Sequence, residues 1–314
     1  MKNEGLDALP VITIGTRGSP LALAQSEIVV NQLRRNNGSK AFDFQIKTMK
    51  TEGDELSQKT KGYFDGKGAF TRLIDRALVE KQIDVAVHSL KDVPIANFSS
   101  DEIEIAAIPR RESPLDVLVA KNDAYTLKNL PKGAKIGTSS VRRAMQLRSF
   151  RPDFQIVEIH GNVQTRLQKM QESDLDATVL AKAGLNRLGL KLGKIIPLSV
   201  MLPSPGQGAL AVIVRKNDSR TKSIVSKIDH QESRLSVAAE IAFTRELGGG
   251  CNLPVAALAT IRKSNPKKLI LEGLVGSSNS RDGKGIARSK IIGTTKNAES
   301  LGLQLAQRLK KYYK

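Results

Sequence analysis

The stretch VITIGTRGSPLALAQSEIVVNQLRR (residues 11–35) decides the fold. VITIG is a short apolar run rich in β-branched residues, which reads as a buried strand. It stops at TRGSP, and LALAQSEIVVNQLRR continues with apolar residues at helical spacing. Outward from there, FDFQIKTM (42–49) alternates like a strand, AFTRLIDRALVEKQI (69–83) is an amphipathic helix, and DVAVHSL (84–90) is a further strand. Strand, helix, strand, helix, strand predicts a parallel α/β sheet.

A second, similar unit begins near residue 110. DVLVA (116–120) and KIGTSS (135–140) have strand character, SVRRAMQLRSF (140–150) a helix, FQIVEIH (154–160) a strand, NVQTRLQKMQ (162–171) a helix and DATVLA (176–181) a strand. PSPGQGALAVIVR (203–215) reads as a connection leading into one more strand. From about residue 230 the texture changes: ESRLSVAAEIAFTRELG (232–248) is helical, and the rest reads as strands closed by the helix AESLGLQLAQRLKKYY (298–313). The chain is therefore expected to hold two α/β units and a smaller α+β unit.

Composition bounds the function. With 314 residues and 40% hydrophobic, the chain has enough apolar surface for two or three domains. Its single cysteine forms no internal disulfide and suits a reducing cytoplasm. One cysteine with His88, His160 and His230 scattered is no zinc ligand set, so no metal is expected. MKNEGLDALP has no apolar centre, so no signal peptide is expected, and no run approaches the roughly 18 apolar residues of a membrane span. The net charge of +19 points to polyanionic partners: nucleic acid, anionic lipid, or a substrate rich in carboxylates or phosphates. RKSNPKK (262–268) and KKYYK (310–314) fit a generally lysine-rich surface instead.

Four places carry chemistry. GTRGS (15–19) and GTSSVRR (137–143) are donor-rich turns where a strand gives way to a helix, the place for an anion site. Simple N-capping explains Ser19 or Ser140. It does not call for Arg142 beside Arg143, nor for Arg17. In VAVHSLKDVP (85–94), Ser89, Lys91 and Asp92 arrive together at a strand's carboxyl end, where open α/β sheets bind ligands. A surface ion pair explains Lys91 and Asp92 about as well on pattern alone. In RELGGGCNLPVAA (245–257), three glycines run into Cys251, the only thiol. Without further context such a lone cysteine reads as a buried, inert side chain.

IGTRGSPLALAQ, GKGAF, DVAVHSLKDVP, IGTSSVRR, HGNVQTRL, LAKAGLNRLGL, PSPGQGA and GGGCNLPVAA occur in this order over residues 14–257. Together they resemble the hydroxymethylbilane synthase (porphobilinogen deaminase) family. The resemblance implies an α/β fold: two periplasmic-binding-protein-like (type II) domains around a cleft, 9–108 with 210–228 and 109–209, plus a smaller α+β C-terminal domain, 229–314. It implies a cytoplasmic, monomeric transferase of haem biosynthesis that condenses four porphobilinogen molecules head to tail, releasing ammonia, without nucleic-acid or membrane partners. It also implies a dipyrromethane cofactor held by a thioether to Cys251, in a loop whose glycines accommodate a bulky adduct.

Site roles follow by motif. Asp92 is the catalytic carboxylate. Lys91, Ser89, Thr138, Ser139, Ser140, Arg142, Arg143, Arg187 and Gly161 are expected at the cofactor. Arg17, Ser19, Gln25, Gln207, Arg151 and Lys67 are expected at the substrate, with Lys67 in a loop over the cleft. The many acetate and propionate groups account for the surplus of cations, since arginine binds carboxylates in a bidentate manner. Two positions depart from the family's pattern: His160 and Val157 stand where arginines are usual. TKGYFDGKG (60–68) is arranged differently too, and Lys61 is left unassigned. Two rivals remain. A solute receptor would bind an anion without needing Cys251 or Asp92. A nucleic-acid binder would want stacking aromatics, and these are only 4% with no tryptophan.

Overall fold

A computed structural model of the chain describes residues 9–38, 41–49, 71–94, 100–249, 254–262, 264–276 and 285–312. These residues fall into two compact units, one of 1–88, 96–109 and 210–230, the other of 89–95, 110–209 and 231–314.

The first unit is built on β1 (Val11–Arg17), α1 (Pro20–Asn37), β2 (Asp43–Met49), α2 (Arg72–Val79), β3 (Val85–Ser89) and β4 (Ile103–Ala107). Ser19 accepts a hydrogen bond from the Ala22 amide at 3.3 Å and Pro20 takes the first helical position, so α1 starts where capping chemistry predicts. Val29, Val30 and Leu33 of α1 pack on Ile12, Ile14, Phe44 and Val85 of the sheet. The second unit carries β5 (Asp116–Ala120), β6 (Lys135–Gly137), α3 (Val141–Phe150), β7 (Gln155–Val157), α4 (Val163–Glu172), β8 (Ala177–Ala181), α5 (Lys182–Arg187) and β9 (Lys194–Ile195). The chain then returns to the first unit through β10 (Leu210–Arg215) and α6 (Ser219–Ser226).

The sheets are mixed, not all-parallel as the strand–helix alternation predicts. Their orders are β2-β1-β3-β10-β4 and β7-β6-β8-β5-β9. β1 is parallel to β2 and β3, and β6 to β7 and β8, whereas β10 is antiparallel to β4, and β5 to both β8 and β9. In each sheet one strand from outside the consecutive run is inserted next to the edge strand. This repeated order is that of type II periplasmic-binding-protein-like domains. The strand expected over 154–160 shrinks to Gln155–Val157, because β7 is an edge strand paired only with the three residues of β6.

The C-terminal part is a meander of β11 (Val255–Arg262), β12 (Asn265–Gly276) and β13 (Ile286–Thr294) with α7 (Gln231–Glu246) and α8 (Ala298–Lys310). One face buries Leu269 and Leu271 against Phe243, Leu301 and Leu305 of the helices. The helices approach closely at Gly302, where a Cβ would lie 2.4 Å from the Ala239 carbonyl oxygen. The other face buries Ala256, Leu258 and Leu274 against Met145 and Leu202, so this sheet groups with the second α/β sheet in one unit.

A buried ion pair fastens the same junction. Glu240, fully buried on α7, accepts from Arg111 Nη1 (2.6 Å) and Nη2 (3.0 Å) and from the amides of Gly206 (2.7 Å) and Ala259 (2.8 Å). Removing one charge of a buried pair leaves the other uncompensated, typically costing about 3–5 kcal/mol. Glu240→Gln is expected to lower the thermal unfolding midpoint by about 10 °C. A midpoint within about a degree of the parent, followed by circular dichroism, shows the pair to be dispensable.

Candidate active site

The site grows from the end of β3. A single 3-10 turn, Leu90–Asp92, follows it. Leu90 is fully buried and donates its amide to Ala209 O at 3.0 Å, so the PSPGQGA loop holds this turn. That loop is itself tightly seated. Gly208 has φ +86°, and a Cβ there would stand 2.4 Å from Glu112 O, which only glycine tolerates. With Leu90 as the anchor, Lys91 is half-buried and Asp92 is exposed.

Beside this turn lies a cluster of cations on α3. Arg142 and Arg143, each 5% exposed, meet on the carboxylate of Asp116, which is 1% exposed. Arg142 Nη1 donates to Asp116 Oδ2 (2.8 Å) and Leu202 O (2.6 Å). Arg143 donates through Nε (3.2 Å) and Nη2 (2.8 Å) to Asp116 Oδ1, and through Nη1 to Val179 O (2.8 Å). Burial works to raise the Asp116 pKa, but the charges and hydrogen bonds of the two arginines prevail and hold the carboxyl well below the usual range. Burial pushes the Arg142 guanidinium down, with Asp116 opposing and Arg143 adding to the fall. Lys91 is likewise lowered by burial. Asp92 and Asp116 pull its pKa back up, while Arg143 and Arg142 press it further down. Asp92, Asp116, Lys91, Arg142 and Arg143 therefore share one electrostatic field.

Arg166 joins that field, although the motif reading passes over it. It lies one turn into α4, which Asn162 caps by accepting from the Thr165 amide at 2.9 Å. Its Nε donates to Gly161 O at 2.8 Å. Burial, then repulsion from Arg143, lower its pKa to about 10, with Asp92 opposing. Gly161 itself is conformational: φ is +118°, and a Cβ would meet Thr165 Cγ2 at 2.7 Å. Arg187 closes α5 and donates to Gly208 O at 2.7 Å; burial lowers its pKa to about 10, with Glu112 opposing.

The expected hydroxyl donors shape the backbone. Ser140 accepts from the Arg143 amide at 3.5 Å as the cap of α3, Thr138 Oγ1 accepts from the Ser140 amide at 3.2 Å, and Ser139 Oγ donates to Ile159 O at 2.7 Å. Ser89 ends β3. In the other unit, Arg17 ends β1, Ser19 caps α1 and Gln25 is buried on α1.

Two expected substrate ligands have their donors engaged within the protein. All five N–H groups of Arg151 have acceptors: Asp153 twice (3.1 and 2.6 Å), Leu130 O (2.8 Å), Leu127 O (3.4 Å) and Pro131 O (3.2 Å). Its guanidinium also covers Phe154, so it closes its own loop. Gln207 is 1% exposed and donates both amide hydrogens inward, to Pro114 O (2.7 Å) and Asp116 Oδ1 (3.0 Å). His160 and Val157 are exposed, with His160 Nε2 3.6 Å from Glu158. His88 is buried against Asp75 at 3.1 Å. Cys251, Lys67 and Lys61 lie outside the described residues.

Two mixed five-stranded sheets, an exposed carboxylate beyond a strand end and a set of buried or half-buried cations sharing its field define an α/β protein with a cationic site built around one acid. Residues 12–223 match the porphobilinogen deaminase dipyromethane cofactor binding domain, and residues 234–311 the porphobilinogen deaminase C-terminal domain. The chain belongs to the porphobilinogen deaminase family. It is similar to the porphobilinogen deaminase of Listeria welshimeri, 44% identical over 302 residues covering 94% of this chain and 93% of that one. It is similar also to those of Pelotomaculum thermopropionicum, at 42% over 95% and 93% of the two chains, and Brevibacillus brevis, at 40% over 94% and 93%.

Proposed function

We propose that this chain is a hydroxymethylbilane synthase, a transferase that joins four porphobilinogen molecules head to tail, releasing one ammonia for each and taking up one water as the terminal hydroxyl, to give linear hydroxymethylbilane for tetrapyrrole biosynthesis. The observation that carries this reading is the exposed carboxylate of Asp92 in one field with Lys91, Arg143 and Arg166.

The donor set suits a dipyrromethane. Two linked pyrroles of this kind carry four carboxylates, and Lys91, Arg142, Arg143, Arg166 and Arg187 are cations partly withdrawn from water, Arg142 and Arg143 almost wholly. Each regains solvation from a bound carboxylate. These residues, with Cys251 as the thioether anchor, would hold the cofactor. When bound, it supplies the free pyrrole position from which the product grows. Ser89 and the turn Thr138–Ser140 shape its surroundings, and Gly161 gives the backbone path to Arg166.

Asp92 handles the reacting substrate. Porphobilinogen must lose ammonia from its aminomethyl carbon, and the positive charge left behind spreads onto the pyrrole nitrogen. A carboxylate accepting the pyrrole N–H stabilises that charge, and the same group can carry the ring proton released when the new C–C bond forms. Arg17, Ser19 and Lys67 remain substrate ligands by motif, and Gln25, buried, supports α1. Arg151 and Gln207 are withdrawn from that role, because their donors are already committed within the protein.

We read three domains, each with its own sheet, in a monomer. The single cysteine suits a reducing cytoplasm. Among the described residues no helix is long and apolar enough to cross a membrane. The deciding experiment is incubation of the purified protein with porphobilinogen. The expected result is consumption with one ammonia per porphobilinogen and a linear tetrapyrrole product. Binding without consumption identifies a solute receptor and overturns the reading.

A further inference from the structure

Asp116 opens β5 and is sealed from solvent, so it meets no substrate. Its position is nonetheless demanding. Arg142 and Arg143 are consecutive on a helix, and consecutive side chains diverge by about 100°. Their charges also repel. Two such guanidiniums converge only on a shared anion, and Asp116 is that anion: Oδ2 takes Arg142, Oδ1 takes Arg143.

The donor count shows what this arrangement leaves. Arg142 uses only Nη1, toward Asp116 and Leu202 O, so among the described residues its Nε and Nη2 have no acceptor. Arg143 has three of its five N–H groups engaged. The inner edges of both guanidiniums are pinned and outer edges remain for a ligand. Asp116 is in turn fixed by Gln207, whose second amide hydrogen is held by Pro114 O, so the amide cannot turn over. Gln207 O accepts from Arg111 Nε at 2.8 Å, and the same loop holds Leu90 through Ala209 O. One loop thus sets both the arginine pair and the turn that bears Asp92.

We propose that Asp116 is a positioning residue: locked by Gln207, its carboxylate aligns Arg142 and Arg143 into a single carboxylate receptor beside Lys91 and Asp92, which takes the carboxylates of the incoming porphobilinogen as well as those of the cofactor it joins, and tempers the cation density there. The proposal rests on the synthase reading for its kinetic consequence, but not for its electrostatic one. Asp116→Asn keeps the shape and removes the charge, Asp116→Glu keeps the charge and displaces it, and Gln207→Met keeps the charge and frees its anchor. Two readouts are needed: KM and kcat for porphobilinogen, and the pH dependence of Lys91 acetylation, mapped by peptide mass spectrometry. Asp116→Asn should raise KM about tenfold, the worth of one charge-assisted hydrogen bond, with a smaller change in kcat. It should also move the midpoint of Lys91 acetylation to lower pH, because a neighbouring anion has gone. Asp116→Glu should recover part of both, and Gln207→Met should raise KM while leaving the Lys91 midpoint in place. A folded Asp116→Asn protein with the parental KM and the parental Lys91 midpoint overturns the proposal. If Asp116→Asn fails to fold, Gln207→Met decides: a raised KM supports the proposal and a parental KM overturns it. If the parent itself does not consume porphobilinogen, the synthase reading fails. The shift in Lys91 acetylation then decides alone, its presence supporting and its absence overturning the role of Asp116.

Discussion

Cys251→Ser is expected to yield a chain with no covalent adduct and no turnover of porphobilinogen above background. Cys251 is the only thiol among 314 residues, so thioether attachment has no second address. A serine hydroxyl is nearly the same size, but it is a far weaker nucleophile than a thiol of pKa about 8.5, which supplies a few per cent of thiolate near neutral pH. Intact mass spectrometry reads the result directly. The parent should exceed its sequence mass by one dipyrromethane, and the serine variant should match the bare chain. Circular dichroism checks that the fold is kept. A serine variant with parental turnover sinks the attachment site, and a parent at bare mass sinks the cofactor assignment as a whole.

What was legible in the sequence was whatever depends on local spacing. VITIG, the Ser19 cap and the helix behind it follow from periodicity and capping within a single stretch, and α3 and α7 are equally local. The mixed sheets were not legible. The antiparallel strands β5 and β10 are inserted by long-range pairing that no window of sequence reveals. The same limit governs the site. Arg142 and Arg143 stood out because capping does not require them, but their partner Asp116 is 26 residues away from Arg142 and looked like the first residue of an apolar strand. Arg166 was hidden on the polar side of a short helix, although HGNVQTRL contained it. Arg151 is expected at the substrate by motif, yet its guanidinium is engaged within its own loop, and Asp153, two residues on, is a local partner that the sequence already offers. Gln207 differs in kind: its motif points to a ligand, while its side chain turns inward to hold the anion behind the arginines, a long-range contact that no local spacing reveals.

Asp92 carries the other large effect. It is exposed, and the turn that bears it is held by the buried Leu90 side chain and by the Leu90 amide on Ala209 O, neither of which involves the Asp92 carboxylate. Asp92→Asn should therefore fold as the parent does. Its cations stay in place, so the carboxylates of porphobilinogen keep their partners and KM should not rise. The loss falls on kcat. Asparagine is isosteric and still accepts a hydrogen bond from a pyrrole N–H, but it is neutral and carries no proton between groups. It faces a developing cation with a dipole in place of a charge, and Lys91 and Arg166 then repel that cation with only the buried Asp116 left in the field to oppose them. Proton handling alone is typically worth about 10²–10⁴-fold, so kcat should fall at least that far. Asp92→Glu keeps the charge and moves it by one methylene, so it should retain an intermediate rate. Steady-state kinetics on the three proteins, with circular dichroism as the control, tests the order: parent, then Glu, then Asn. If the Asn and Glu variants turned over equally, position rather than charge would matter at this turn, and Asp92 would be no more than the partner of Lys91.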